Sequence, residues 1–488
     1  MRKMTATPER ERPAGEPNIF DVIRSETASC HGRMAVVDGA ISLSYSGLIK
    51  AVEKLAEMLK GMGLRPLGRV GLVCGNCSDH IIISLAVLAA GGVVIEVASE
   101  YAQGEKEKAL DSMDAEFLVY REGDYVSSAS GPAIGEPLHG RFHFTRRRES
   151  RPEGAEYAAI SPAFIRFSSG TTGKSKGVIL SHRSVVERTG AADGGLKIVP
   201  GDRILWVLSM SFHFVVTILL FLRRGATIIL SGHPLAESML DGLTRGKATF
   251  IYASPFHYSM MADSGLFPPG AMAGVRMAVS TAVKLSADVA SRFHAKFSLR
   301  LSEAYGIIEV GLPFMNTAGN YREGSVGRAL PGYEVRIADQ ASDGTGEILL
   351  KGPGMLDAYC DPWQVREKIL PGGWFHTGDI GRIDADGFLS IVGRVKDVIN
   401  FTGMKVFPLE VEELIRSFPG VRDACVYGED HPKYGQLPMA KVVAGGEGVD
   451  AGALRRYCYE RLASYKVPKG FEFVGEIPKT ESGKIIRY

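Results

Sequence analysis

The chain has 488 residues, 57 lysines and arginines against 55 acidic residues, and a formal charge of +2. Apolar residues are 45% and charged residues 23% of it, an ordinary globular balance that excludes a disordered or fibrous chain and offers no basic excess for nucleic acid. The length points to roughly two to four domains.

In chain order, residues 1–17 are polar and rich in proline, glutamate and arginine, with no apolar core of signal-peptide type, and are expected to be disordered. Strand-like and helix-like runs then alternate: Ala35–Val37, the helical Tyr45–Met62, Val70–Val73, the helical Asp79–Ala90, and Val93–Val97. That βαβ rhythm predicts an α/β layer fold. The longest apolar stretch, Ile81–Val97, is split by Gly91-Gly92 and carries Glu96, so it reads as helix, turn and strand and not as a membrane span. Six scattered cysteines suit a reducing compartment, and a cytoplasmic protein is expected. Cys74-Gly-Asn-Cys77 is a lone CxxC without a second ligand pair, read as two packed or idle thiols.

Residues 122–156, rich in glycine, serine, proline and glutamate and including Arg146-Arg147-Arg148, read as a solvated connection. The strand-like Ala163–Phe167 follows, then the loop Ser168–Gly177, then a second β run, Val178–Leu180. Further α/β rhythm runs over Trp206–Ile229, Phe250–Ala253, Met277–Val279, the helical Ala287–Phe297 and Leu301–Ile308. Short β runs between glycine and proline turns over 324–359 predict a small β subdomain. After Gly393-Arg394 come helical Val411–Ser417, strands at Ala424–Tyr427 and Ala440–Val443, and helical Ala451–Ala463, a compact α+β domain. The expected division is a large domain over 18–393, a hinge over 394–397 and a small domain over 398–488.

The loop Ser168-Ser169-Gly170-Thr171-Thr172-Gly173-Lys174-Ser175-Lys176 concentrates glycines, hydroxyls and lysines between two strands. Its glycines permit a tight turn whose N–H groups converge on one point, which suits a polyphosphate. A Walker P-loop is the first candidate, since Gly173-Lys174-Ser175 fits its end. Such a loop must open directly into a helix, however, and here a β-branched run follows Gly177.

Phe167 through His182 resembles the phosphate-binding signature of the adenylate-forming superfamily, which comprises acyl-CoA synthetases, peptide-synthetase adenylation domains and luciferases. Further matches occur in that superfamily's order: Glu303–Glu309 resembles the adenine motif, Gly324–Gly327 and Gly346-Glu347 the next ones, and Trp374–Asp379 the ribose motif. Gly393–Asp397, continuing through Gly403–Glu412, resembles the hinge, and Pro478–Arg487 the catalytic-lysine motif. The resemblance covers the chain from about Ile19 to Arg487. It implies a large domain of layered α/β subdomains with a small β subdomain, followed by a small mobile α+β domain.

It also implies roles. A carboxylate attacks the α-phosphate of ATP, two anions that must be neutralised and held in line. Ser168, Ser169, Gly170, Thr171, Thr172 and Lys176 would cradle phosphates, and Tyr305 would offer a flat face to adenine. Asp379 would accept hydrogen bonds from the ribose, and Arg394 would add a ribose or phosphate contact. Thr281, Ala282, Glu303, Ala304, Gly306, Ile308 and Lys405 complete the implied nucleotide site. Glu309 would hold Mg²⁺. Lys484 would reach both carboxylate and α-phosphate. Rotation about Lys396 would then withdraw Lys484 and bring Gly403 to a thiol channel. One departure stands out: the motif's usual Thr-Glu is Ile308-Glu309, and the missing hydroxyl removes a hydrogen bond worth ~1.5–3 kcal/mol. A milder one is Ser175 where proline is common.

For the acid, His213 stands where amino-acid-activating members place an acidic residue nearby, which argues against an α-amino acid. His213, Phe214, Val215, Gly306, Ile307, Val310 and Gly311 are the implied pocket, with Gly306 leaving it open, for an aryl or a medium-to-long acyl acid. The acceptor is coenzyme A or, alternatively, the phosphopantetheine of an acyl carrier protein; a third alternative is a non-catalytic nucleotide- or acyl-binding member. A monomer or homodimer without nucleic-acid partners or a transmembrane segment is expected.

Overall fold

The computed structural model describes residues 17–127, 131–149, 154–168, 176–231, 235–402, 404–446, 449–479 and 485. Among these residues two nine-stranded sheets form the bulk of the molecule. One has a parallel centre built from Met34–Asp38, Thr227–Leu230, Arg203–Trp206, Phe250–Ala253, Met277–Ser280 and Ser302–Ile307. The other has a parallel centre of Phe117–Arg121, Arg69–Val73, Val93–Val97 and Pro162–Ser168. Parallel strands covered on both faces must be apolar throughout, and every residue of Val93–Val97 is buried. Even so, Glu96 lies among them.

The largest core fills the space between the two sheets. The helix Ser78–Ala89 runs through it, its apolar run Ile81–Ile83 and Leu85–Leu88 buried together with the polar Ser78, Asp79, His80 and Ser84. Smaller cores lie on the outer faces, one under the helices Ala236–Thr244, Pro255–Asp263 and Ala287–Phe297. A four-stranded antiparallel sheet of Glu334–Ala338, Gly346–Lys351, Phe375–Ile383 and Leu389–Arg394 forms the β subdomain, and a 3-10 turn over Val395–Asp397 leads from it to the five-stranded sheet of the C-terminal α+β unit.

Three expectations need correction. Residues 122–156 are not merely a solvated connection: Phe142–Arg146 pairs antiparallel with the whole of Phe117–Arg121. Its alternating Phe142-His143-Phe144 buries both phenylalanines, a signal hidden by the glycine- and proline-rich flanks. Arg147 bridges Glu107 and Asp111, and Arg148 bridges Asp111 and Asp114, so the basic run clamps the helix Gln103–Ser112. The β subdomain does not end at Tyr359: the chain leaves it at Ala358–Cys360 to pair with Lys176–Ser181, then returns for its last two strands. The helix from Ala451 stops at Tyr459, short of Ala463.

Candidate active site

In the second parallel sheet the strand Pro162–Ser168 runs into the phosphate-loop segment and the chain re-emerges as Lys176–Ser181, with Ser168 paired to Lys176. Ser169, Gly170, Thr171, Thr172, Lys174 and Ser175 lie outside the described residues, as do Gly403 and Lys484. Ile485, next to Lys484, bridges Lys479. The Lys176 ammonium stands 4.7 Å from the centre of the Tyr359 ring, and the Tyr359 hydroxyl donates to Glu309 Oε1 at 3.3 Å. The strand Ala358–Cys360 thus joins the end of the phosphate loop to the proposed metal ligand, a connection made by pairing across the sheet.

The other side of the site is built where Ser302–Ile307 meets the four-stranded sheet. Asp379 is buried at 4% exposure, opposite Arg394 in register. The Tyr305 hydroxyl donates to Asp379 Oδ2 at 2.6 Å, and Arg394 Nε donates to Oδ1 at 2.8 Å. Burial, and then the Asp379 charge, pushes the Tyr305 phenol well above its usual range, so it stays a donor. Three residues that sequence motifs had assigned to adenine and ribose therefore form one hydrogen-bonded cluster spanning two sheets.

Around it, the Thr281 hydroxyl donates to Ala304 O at 3.4 Å, and Ala282 takes a left-handed φ of 74° at an exposed turn. Gly306 is exposed, and a Cβ there would lie 3.0 Å from Gly311 O, a tight contact that a side chain would make only if the neighbouring backbone gave by a few tenths of an ångström. Ile308 is half-buried and its carbonyl accepts from Arg188 Nη1 at 3.0 Å. The Arg188 guanidinium also binds Gly354 O, and burial lowers its pKa to about 10. Lys405 and Lys396 are exposed. Lys284 ion-pairs with Glu413, joining the large domain to the helix Pro408–Arg416.

Glu303 accepts from Asn316 Nδ2 at 3.2 Å, yet burial pushes its pKa up to about 7. A carboxyl whose folded pKa is raised holds its proton longer in the native state, so its contribution to stability is lost as pH rises from about 4.5 to about 7. Glu303→Gln is therefore expected to raise the melting temperature at pH 8 while leaving it nearly unchanged at pH 5, with up to about 3 kcal/mol at stake. Equal shifts at both pH values in scanning calorimetry would contradict this.

The implied acid pocket divides in two. Phe214, Val215 and Val310 are packed into the inter-sheet core, whereas His213, Ile307 and Gly306 form a more open rim and Gly311, buried, has a φ of 109°. The helix carrying His213 loosens into a π turn over Phe214–Ile218, a distortion common at functional sites. Asn76 fixes the approach to it, donating to Leu208 O at 2.7 Å and accepting from Met210 N at 2.8 Å. That is what the Cys74–Cys77 turn does here, its two sulfurs buried and 3.4 Å apart. Among the described residues no group of three or more His, Cys, Asp or Glu could hold a metal by itself.

Sequence reasoning missed the aromatic wall behind His213. Trp206 and Tyr252 stand opposite one another on neighbouring strands and stack at 5.7 Å, and both present edges to the His213 ring, at 6.1 and 6.4 Å. Among the described residues no hydrogen-bond partner reaches the buried Trp206 Nε1. Aromatic residues near the ends of two parallel strands were the available signal, but their adjacency is a matter of strand order.

The profile of a family described as AMP-binding enzyme matches residues 24–360, and that of the AMP-binding enzyme C-terminal domain matches residues 410–484. A feruloyl-CoA synthase from an Amycolatopsis species is 27% identical over 93% of this chain and 94% of its own length. A long-chain-fatty-acid–CoA ligase of Escherichia coli is 26% identical over 98% of this chain and 95% of its own. The fold is that of ATP-bound MatB from Rhodopseudomonas palustris, with a TM-score of 0.83 at 24% identity, covering 96% of this chain and 97% of the other. No helix among the described residues is long and apolar enough to cross a membrane.

Proposed function

This chain belongs to the AMP-binding enzyme family, and from that premise we propose that it is an AMP-forming acid–thiol ligase. It activates an aryl or a medium-to-long acyl acid to the acyl-adenylate with release of pyrophosphate, then transfers the acyl group to the thiol of coenzyme A. The observation that carries the reading is the Asp379 cluster. A buried carboxylate is held between the Tyr305 hydroxyl and the Arg394 guanidinium, and Tyr305 shares the strand Ser302–Ile307 with Glu303.

In this reading Asp379 accepts from the ribose hydroxyls, Tyr305 supports the adenine, and Lys176 with the loop residues Ser169, Thr171 and Thr172 holds the phosphates. Glu309, a buried carboxylate facing that side, fits Mg²⁺, which takes one or two carboxylates and completes its shell with substrate phosphates and water. Mg²⁺ there would supply charge neutralisation to the leaving pyrophosphate. Lys484 brings its charge to the developing transition state, and Lys396 is the hinge on which the small domain turns to open the thiol channel by Gly403.

The test is pyrophosphate release across a panel of acids, with coenzyme A, with a holo carrier protein, and with neither. Acyl-CoA formation is the expected product. Transfer to the carrier protein alone would assign the other acceptor, and release from none of the acids would sink the reading.

Ile308→Thr restores a hydroxyl next to Glu309. If that hydroxyl reaches the α-phosphate, ATP–pyrophosphate exchange should rise about tenfold or more, the equivalent of one charge-assisted hydrogen bond. An unchanged exchange rate would show that position 308 does not limit adenylation.

A further inference from the structure

Arg166 is a buried guanidinium to which the proposed function assigns no role. It lies on Pro162–Ser168, a strand paired on both sides, with Ile95 opposite Ile165 and Val178 opposite Arg166. Alternate residues of a strand share a face. Phe164 and Arg166 therefore point into the space between the sheets, while Ile165 and Phe167 belong to the outer core. The Phe164 ring lies 6.0 Å from that of Phe214, the residue after His213. Arg166 is one step further along the same face, toward the strand ends where ligands of open α/β sheets bind.

Arg166 is 3% exposed, and among the described residues no hydrogen bond or ion pair reaches its guanidinium. Its favourable electrostatic neighbours are Glu96 and Tyr101, and burial still lowers its pKa to about 10. Glu96, on the adjacent strand, is already engaged: His80 Nε2 lies 2.8 Å from Oε2, and the Ser84 hydroxyl donates to Oε1 at 3.1 Å. Burial works against a charged His80, but Glu96 prevails and raises its pKa. His80 in turn stacks on Phe214 at 5.6 Å. His80 and Arg166 thus both lie close to the one carboxylate of Glu96, beside Phe214, and nearby Arg188 is spent on the carbonyls of Gly354 and Ile308. A buried guanidinium without a partner is costly, and its planar fork matches a carboxylate.

We propose that Arg166 anchors a second anionic group of the acid substrate, so that the substrate class is acids bearing a carboxylate remote from the one that is activated. This rests on the reading of the chain as a carboxylic-acid ligase. In the proposed function the nucleotide phosphates fall to the loop that follows this strand and the reacting carboxylate to the side of Glu309. The group that meets Arg166 behind Phe214 is the far end of the acid.

The experiment compares matched acids on the full-length protein: suberate against octanoate, and terephthalate against p-toluate, each read as pyrophosphate release and, without ATP, as binding by calorimetry. The wild type should favour the dianion of at least one pair by about tenfold or more in kcat/KM. Arg166→Gln should shrink that ratio about tenfold, chiefly through KM, and Arg166→Lys should retain part of it. A wild-type preference for the monoanion in both pairs overturns the proposal without any variant. So does a Gln variant that lowers both members of a pair by one factor, the mark of a purely structural arginine. Suberate or terephthalate binding that depends on Arg166 without pyrophosphate release would uphold the anchor and overturn the ligase reading. Release from octanoate or p-toluate alone would do the reverse.

Discussion

Replacing Lys484 by alanine should abolish acyl-adenylate formation and spare the thiol-transfer half-reaction. Adenylation brings a carboxylate against a phosphate, and nothing in the two reactants neutralises the charge that accumulates between them. A single cation placed at that point, in a site from which water is excluded, is worth about 3–4 kcal/mol, or roughly a factor of 10²–10³ in rate. The second half-reaction starts from an adenylate already made and has no such requirement. The measurement is therefore two-part: pyrophosphate release from ATP and acid, and acyl-CoA formation from synthetic acyl-adenylate. Loss of the first with retention of the second is the expected pattern. Equal loss in both would assign Lys484 a structural role.

The second large effect is expected at Asp379. Its carboxylate accepts from Tyr305 at 2.6 Å and from Arg394 at 2.8 Å, and it is almost wholly buried. Asp379→Ala would take away the acceptor for the ribose hydroxyls and strand a buried phenol and a guanidinium at once. Each charge-assisted hydrogen bond contributes about 1.5–3 kcal/mol, so the KM for ATP should rise by roughly 10²-fold or more. Asp379→Asn keeps the volume and one acceptor and should rise less. If the KM for the acid rose as much as that for ATP, with a lowered melting temperature, Asp379 would be a scaffold residue and not a nucleotide contact.

The expectations at these two positions come from the sequence alone, and the reason is chemical. A phosphate clamp needs glycines, hydroxyls and a lysine within one turn of chain, so Ser168–Lys176 is contiguous. The same holds for the motif resemblances over Glu303–Glu309 and Trp374–Asp379, each a contiguous run of the chain. Alternation of strand and helix over Ala35–Val97 carried the α/β layering in the same local way, because hydrophobic period follows secondary structure directly. The strand Phe142–Arg146 escaped because five residues of alternation among turn formers weigh little until a partner such as Phe117–Arg121 is in place.

The amino-acid sequence by itself therefore determined the family and the expectations for its chemistry and its nucleotide residues, all of them short-range patterns. Only the tertiary structure decided what surrounds His213 and Phe214. Trp206, His213 and Tyr252 meet because strand order sets Arg203–Trp206 beside Phe250–Ala253. His80, Glu96 and Arg166 come from a helix and two strands that pairing and packing bring into one buried cluster. Whether a guanidinium is buried and unpartnered depends on every neighbour packed around it, and no spacing along the chain encodes that.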